Sequence, residues 1–294
     1  MKTKNDQTLI ILSLIIVALS LITTLTGILS DSGPGNYTYE SIRGETVEIY
    51  GKGIYKHMSA DVAVQGIAQD YVTLFIGIPV IVFLMAGFKS SLKKRFLLTG
   101  VLGYFFVTFL FYTAMGMYNI MFLLYVALLA LSFFGLMSGL LSFDLMSIKI
   151  HFSEKTPVKF VGGFLMVNAV LIALMWLSRV IPPLIDGSIY PEGLHHYTTL
   201  IVQGFDLGLL LPVSFVVGWM LTKRKPLGYL FATPYIVFLS ILMTALTAKI
   251  IAMGMNGANI IPVVFIIPVI NMITIFSAYL MINNVIEEQS EKIG

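Results

Sequence analysis

The chain has 294 residues, 57% of them hydrophobic and only 11% charged, with a mean hydropathy of +0.92. So few polar side chains cannot cover the surface of a water-soluble protein of this size, so its solvent is mainly lipid. The net charge of +3 sits in short loops, which argues against nucleic acid as a partner, and the absence of cysteine excludes disulfides, thiol catalysis and thiolate metal sites.

Eight apolar stretches are long enough to cross a hydrocarbon core about 30 Å thick as helices. They cover residues 8–29, 71–88, 96–117, 121–142, 160–181, 199–221, 229–253 and 261–283. The prediction is an all-α integral membrane bundle of eight transmembrane helices, a single membrane domain over 1–294 with one sizeable outer segment at 30–69. Lys and Arg in short loops stay on the cytoplasmic side. With both termini cytoplasmic, thirteen basic residues lie inside: Lys2, Lys4, Lys89, Lys93, Lys94, Arg95, Lys149, Lys155, Lys159, Lys223, Arg224, Lys225 and Lys292. Arg43, Lys52 and Lys56 lie outside, and Arg179 and Lys249 remain within apolar segments. The expected location is the cell membrane, multi-pass.

The first stretch follows Lys2 and Lys4 like a secretory signal, but it is too long and lacks an A-x-A-like cleavage site, so it is expected to persist as an anchor. In the outer segment, Asp31-Ser-Gly-Pro-Gly35 forms turns. Thr46 to Tyr50, Gly51-Lys-Gly53 and Ile54-Tyr55 predict a short hairpin with a glycine-supplied turn. Ser59 is placed to cap a helix carrying Asp61, Gln65 and Gln69 on one stripe that leads into the second span. Asn36-Tyr37-Thr38 fits a glycosylation sequon, a pattern common by chance, and no modification is expected there.

Two parts of the chain run in parallel. Ala63-Val64-Gln65-Gly66, Asp70, Pro79 and the basic run Lys89 to Arg95 correspond to Ile201-Val202-Gln203-Gly204, Asp206, Pro212 and Lys223-Arg224-Lys225, with an insertion before Pro79. This predicts a 4+4 parallel repeat, with coincidence among biased apolar sequences as the alternative. Pro79, Pro212, Pro234 and Pro268 fall inside spans, where each removes a backbone hydrogen bond and favours a kink.

Ionisable residues at membrane depth are the sharpest functional signal, since each costs at least about 2.5 kcal/mol near the bilayer centre unless paired or wetted. Arg179, Asp206 and Lys249 qualify. Asp206 lies roughly 12 Å below the outer end at Thr198, and the other two about one turn below the outer ends of their helices. His195, Thr199, Gln203 and Asp206 share a face if the sixth helix begins near Leu194. Asn168 shares one with Arg179, Tyr118-Asn119 close the group from an outer turn, and Asp70 brings its formal charge to neutral. The expectation is one outward-facing chamber holding Asp206, Gln203, Arg179, Lys249, Asp70, His195 and Asn119. The plainer alternative is that Asp206 pairs with a cation to hold the bundle while Arg179 and Lys249 snorkel to headgroups.

No metal site is expected, because adjacent His195 and His196 point to different helix faces. His57 and His151 lie outside the spans, where neither serves as an axial haem ligand, so no cofactor is expected. Enzyme motifs such as G-x-S-x-G, H-E-x-x-H and the Walker loop are absent. Ser138 in Gly135-Leu-Met-Ser138-Gly139 has no histidine within a span to activate it. Glu287-Glu288 read as a solvated tail.

Tyr50-Gly51-Lys-Gly53-Ile-Tyr55, Gln69-Asp70-Tyr-Val-Thr-Leu74, Lys89 to Arg95 and Tyr118-Asn119 to Ala127 carry a resemblance. Over about residues 50–136 the chain resembles a family of uncharacterised prokaryotic multi-pass membrane proteins of unknown function, which implies the eight-helix build and no activity. Together these features favour a non-enzymatic protein that recognises or transports a small polar ligand or lipid headgroup, with Asp206 and Gln203 as acceptors and Arg179 and Lys249 as cationic clamps. A membrane-surface hydrolase or transferase using Asp206 with His195, and a structural accessory subunit with a protein partner not named by the sequence, are the alternatives.

Overall fold

Where lipid offers no hydrogen bonds, an apolar run must satisfy its own backbone, and a helix does so within one segment. The protein, described over residues 4–287 in a computed structural model, follows that rule. Lys2, Glu288 and Lys292 lie outside the described residues. Its helices are α1 (Lys4–Leu29), α2 (Ala60–Met85), α3 (Leu92–Met115), α4 (Phe122–Leu140), α5 (Val158–Asp186), α6 (Ile201–Thr222), α7 (Pro226–Met255) and α8 (Val263–Asn283). All eight are long and apolar enough to cross a membrane, the build of a multi-pass membrane protein.

Two starts differ from expectation. α2 begins at Ala60 rather than at residue 71, because the helix expected after Ser59 and the span are one continuous helix. α6 begins at Ile201, since residues 194–200 are drawn into loop contacts instead.

The hairpin is built from a different pair of segments. β1 (Tyr37–Glu40) pairs antiparallel with β2 (Thr46–Ile49), Tyr37 opposite Ile49 and Glu40 opposite Thr46. The expected strand at 46–50 therefore finds its partner before it, not after it. Gly51 explains the change: its φ is +72°, and a Cβ there would stand 1.7 Å from the Gly35 carbonyl oxygen. The chain thus turns back on the segment that precedes β1 and enters a 3-10 turn at Gly53–Tyr55.

Lipid gives helices no hydrophobic reason to associate, so close packing and polar contacts must hold them. α3 is the central helix, with Phe96, Tyr104, Phe105 and Phe109 fully buried. It packs on α2, α4 and α7, and less extensively on α6 and α8. α1 packs on α2 and α4, α5 on α6, and α7 on α2, α6 and α8. α5 meets α6 at Gly162 and Gly218, where a Cβ on Gly162 would stand 2.5 Å from the Gly218 carbonyl oxygen.

The face holding both chain ends is fastened by charge. Arg95 Nη1 lies 3.1 Å from Asp6 Oδ1, with both residues buried, so Arg95 is a bundle residue rather than a loop charge. Glu287 is no solvated tail either. Its carboxylate accepts from Ser91 Oγ at 2.7 Å, Leu92 N at 2.8 Å and Lys93 N at 3.1 Å, which caps the start of α3. The opposite end of the bundle, called here the hairpin face, carries β1 and β2.

α2 and α6 share a further irregularity. Each widens into a π-helical stretch, at Thr73–Gly77 and at Asp206–Leu210, directly before the turn that holds Pro79 or Pro212. Ile78 N donates to Thr73 O and Leu211 N to Asp206 O, each five residues back. A proline ring clashes with the carbonyl four residues before it, and the wider turn relieves that clash.

Candidate functional site

α7 runs against both α2 and α6, so a residue on its inner face meets the two helices that carry the intramembrane aspartates. Lys249 is that residue. It is half-buried and interacts electrostatically with Asp206 first and with Asp70 second. By helix rise, Asp206 lies about 8 Å in from the start of α6, Lys249 about 9 Å in from the end of α7 and Asp70 about 15 Å in from the start of α2. Among the described residues no carboxylate lies within 4.0 Å of the Lys249 nitrogen.

Asp70 is fully buried and fully bonded. Tyr55 Oη donates to its Oδ2 at 2.5 Å and Tyr112 Oη to its Oδ1 at 2.8 Å. Burial pushes the Tyr55 phenol well above its ordinary value, and the neighbouring Asp70 adds to that push, so Tyr55 holds its proton and remains a donor. Gly27 of α1 makes the room: a Cβ there would stand 1.8 Å from Asp70 Oδ2. One turn before Asp70, Gly66 O lies 3.0 Å from Tyr112 Oη and shares its one proton with Asp70. Gln69 is buried too and donates to Tyr104 Oη at 2.7 Å and Thr108 Oγ1 at 3.2 Å. The stripe of Asp61, Gln65 and Gln69 is therefore exposed only at its hairpin-face end, at Asp61.

Asp206 is more open. Trp176 Nε1 of α5 donates to its Oδ2 at 2.7 Å, and Oδ1 takes no hydrogen bond among the described residues. Gln203 stands three residues earlier on the same side of α6, half-buried, with no side-chain hydrogen bond among the described residues. The π stretch that starts at Asp206 is held from α7, where Tyr235 Oη donates to Leu210 O at 2.8 Å. Three uncommitted polar groups, Lys249 Nζ, Asp206 Oδ1 and the Gln203 amide, thus sit on two contacting helices.

The other expected members lie elsewhere. His195 belongs to the loop before α6, with φ +51°, Nδ1 3.1 Å from Glu45 Oε1 and Nε2 3.8 Å from Asp61 Oδ2. It therefore shares no helical face with Asp206. Around it Arg43 donates to His195 O at 2.8 Å and Tyr197 O at 2.9 Å, while Tyr197 Oη lies 3.1 Å from both N and Oγ of Ser59. Burial raises the Tyr197 phenol, against the pull of its Ser59 contacts. Ser59 precedes α2 as expected, but its hydroxyl serves Tyr197 and makes no cap. Asn119 is a turn residue: its Oδ1 accepts from Met121 N at 2.8 Å and its Nδ2 donates to Met117 O. Arg179 is exposed on α5, in a hollow with Asp186 and Glu192.

Sequence reasoning missed Tyr55, Tyr112 and Trp176, the donors to the two aspartates. A tyrosine in an apolar helix carries no spacing signal; only the expense of an unpartnered buried carboxylate announces that such donors must exist. Among the described residues no group of three or more His, Cys, Asp or Glu is arranged to hold a metal.

No known protein family, curated protein or solved structure matches the chain. The family resemblance read from residues 50–136 finds no support there, and what stands is eight apolar helices with the build of a multi-pass membrane protein.

Proposed function

We propose that the protein recognises or transports a small polar ligand within its membrane-spanning bundle, at the site framed by Lys249, Asp206 and Gln203 and backed by Asp70. The observation that carries this reading is the half-buried Lys249 ammonium, on a helix that packs against the two spans bearing Asp206 and Asp70, with no direct ion pair to either among the described residues. An intramembrane charge is costly until it is paired or wetted. An arriving carboxylate or phosphate satisfies Lys249, and an amine on the same molecule satisfies the open oxygen of Asp206, so a zwitterion fits best. The Tyr55 and Tyr112 donors commit Asp70 to the protein, which leaves it as electrostatic backing rather than a direct contact.

Movement of the site is supported by the π stretch and proline in both α2 and α6, since such turns mark deformable, functional points in helices. The same pattern, with the pairings of α1–α2 and α5–α6, α2–α3 and α6–α7, α3–α4 and α7–α8, and α2–α7 and α3–α6, supports two parallel halves of four helices. The basic loops favour an orientation with both termini in the cytoplasm of a cell and the hairpin face outside.

The test is thermal unfolding of the purified protein against a panel of zwitterionic, anionic and uncharged polar solutes. A ligand at a hundred times its Kd stabilises by about 2.7 kcal/mol. Lys249→Met and Asp206→Asn should each remain folded and lose that increment. A zwitterion-dependent increment that survives in both variants removes the reading.

A further inference from the structure

α5 ends in a second polar feature that shares no lining residue with the Lys249 site. Gly187, with φ +79°, reverses the chain after Asp186, and Ile189 N donates to Pro183 O at 2.9 Å, so the following loop folds back over the last turns of α5. Between helix and loop lies a hollow of about 380 Å³, lined among others by Arg179, Pro182, Asp186, Tyr190 and Glu192. That is within the size range of small-molecule sites.

Its chemistry is sorted by position. The Arg179 guanidinium is exposed and has no carboxylate within 4.0 Å among the described residues, so its fork is open to a bidentate anion. Pro182 and Pro183 offer no N–H to the carbonyls of Ser178 and Arg179, so both oxygens lack the donor that an uninterrupted helix supplies. Asp186 and Glu192 add two exposed carboxylates beyond Arg179, toward the loop. In the other direction, into the span, Met175 and Leu171 stand four and eight residues before Arg179 and are 47% and 61% exposed, a continuous apolar track on one side of the helix. An anion site thus lies between a hydrocarbon track and a group of acceptors.

We propose that this hollow binds a phospholipid with a primary ammonium headgroup: phosphate on Arg179, ammonium on Asp186, Glu192 and the freed carbonyls, and acyl chains along Met175 and Leu171. A choline headgroup has no N–H to give those acceptors, and a glycerol headgroup has no positive charge to offer the carboxylates. Arg43 lies 5.1 Å from the ring centroid of Tyr190, so the loop wall of the hollow is tied to the β1–β2 turn.

The experiment is native mass spectrometry of the full chain, released from detergent with equimolar phosphatidylethanolamine, phosphatidylcholine and phosphatidylglycerol, and separately with soluble glycerophosphoethanolamine. The expected result is retention of phosphatidylethanolamine about tenfold over the other two lipids, the worth of about one charge-assisted hydrogen bond. Arg179→Gln should abolish retention of the ethanolamine lipid, and Glu192→Gln should bring it down to the level of the choline lipid. Equal retention of all three lipids, or an Arg179→Gln protein that retains the ethanolamine lipid as the parent does, overturns the proposal. Soluble headgroup held as well as the lipid overturns the assignment to a membrane lipid. Both substitutions are at exposed positions, and a circular-dichroism melt of each variant confirms the fold.

Discussion

Trp176 Nε1 reaches Asp206 Oδ2 across 2.7 Å, which places a tryptophan of α5 as the direct hydrogen-bond donor to the intramembrane carboxylate of α6. This bond orients Asp206 and leaves its other oxygen without a hydrogen bond among the described residues. Trp176→Phe keeps an aromatic ring while removing the donor. It should cost about 1–3 kcal/mol and weaken any ligand held by Asp206 without unfolding the protein, measured by detergent-solubilised thermal unfolding with and without ligand.

Asp70 should respond to its neighbours in a coupled way. Gly27→Ala drives a methyl into Asp70 Oδ2 and is expected to destabilise by about 1–3 kcal/mol. In an Asp70→Ala background the same substitution should cost distinctly less, because the colliding atom is gone; a double-mutant cycle reads the difference, and strict additivity would refute the contact.

The Asp6–Arg95 pair is buried at the terminal face, so removing Asp6 leaves the buried Arg95 guanidinium without its carboxylate. Asp6→Leu alone should cost about 3–5 kcal/mol, whereas Asp6→Leu with Arg95→Met should recover much of that loss. The comparison of the three thermal midpoints is the check.

Glu287 gives a pH signature. Partial burial works against its charge, but the hydrogen bonds from Ser91, Leu92 and Lys93 and the Lys93 charge outweigh it and hold the carboxyl below its ordinary range. Its cap therefore contributes in full above the ordinary glutamate value of about 4.3 and is lost as pH falls through the lowered one. Glu287→Gln should lower stability at neutral pH and flatten the acid limb of a stability-against-pH curve; an unchanged limb would count against the cap.

Arg43 fastens the loop before α6 to the hairpin through the carbonyls of His195 and Tyr197. Arg43→Ala should raise amide exchange over residues 187–200 selectively, with α6 itself protected as in the parent. Hydrogen exchange followed by mass spectrometry resolves the two segments.

The helices were legible because apolar length has one economical solution in lipid, and the predicted spans agree with α1 to α8 to within a few residues at most ends. Asp206 and Lys249 were legible as costs, and the fold does bring them to contacting helices. Arg179 was equally costly on paper, yet it is exposed near the end of α5, where a long side chain can reach out of the bundle. His195 lies off the helix that periodicity predicts, because residues 195–197 make their hydrogen bonds to Arg43, Glu45 and Ser59, partners more than a hundred positions away. Glu287 was missed for the same reason: a lone carboxylate after a helix has no local pattern that distinguishes a tail from a remote cap.

A π-helical turn contains one surplus residue, and proteins can move such a surplus along a helix. If the turn at Asp206–Leu210 tightened to α geometry by passing its extra residue toward Ile201, the segment it crossed would swivel by about 100° and slide by about 1.5 Å relative to the rest of α6. Gln203 would then exchange one neighbour for another without any helix leaving its place. Because α2 carries the same surplus just after Asp70, the bundle holds two such ratchets, one in each of two helices that pack against the helix bearing Lys249.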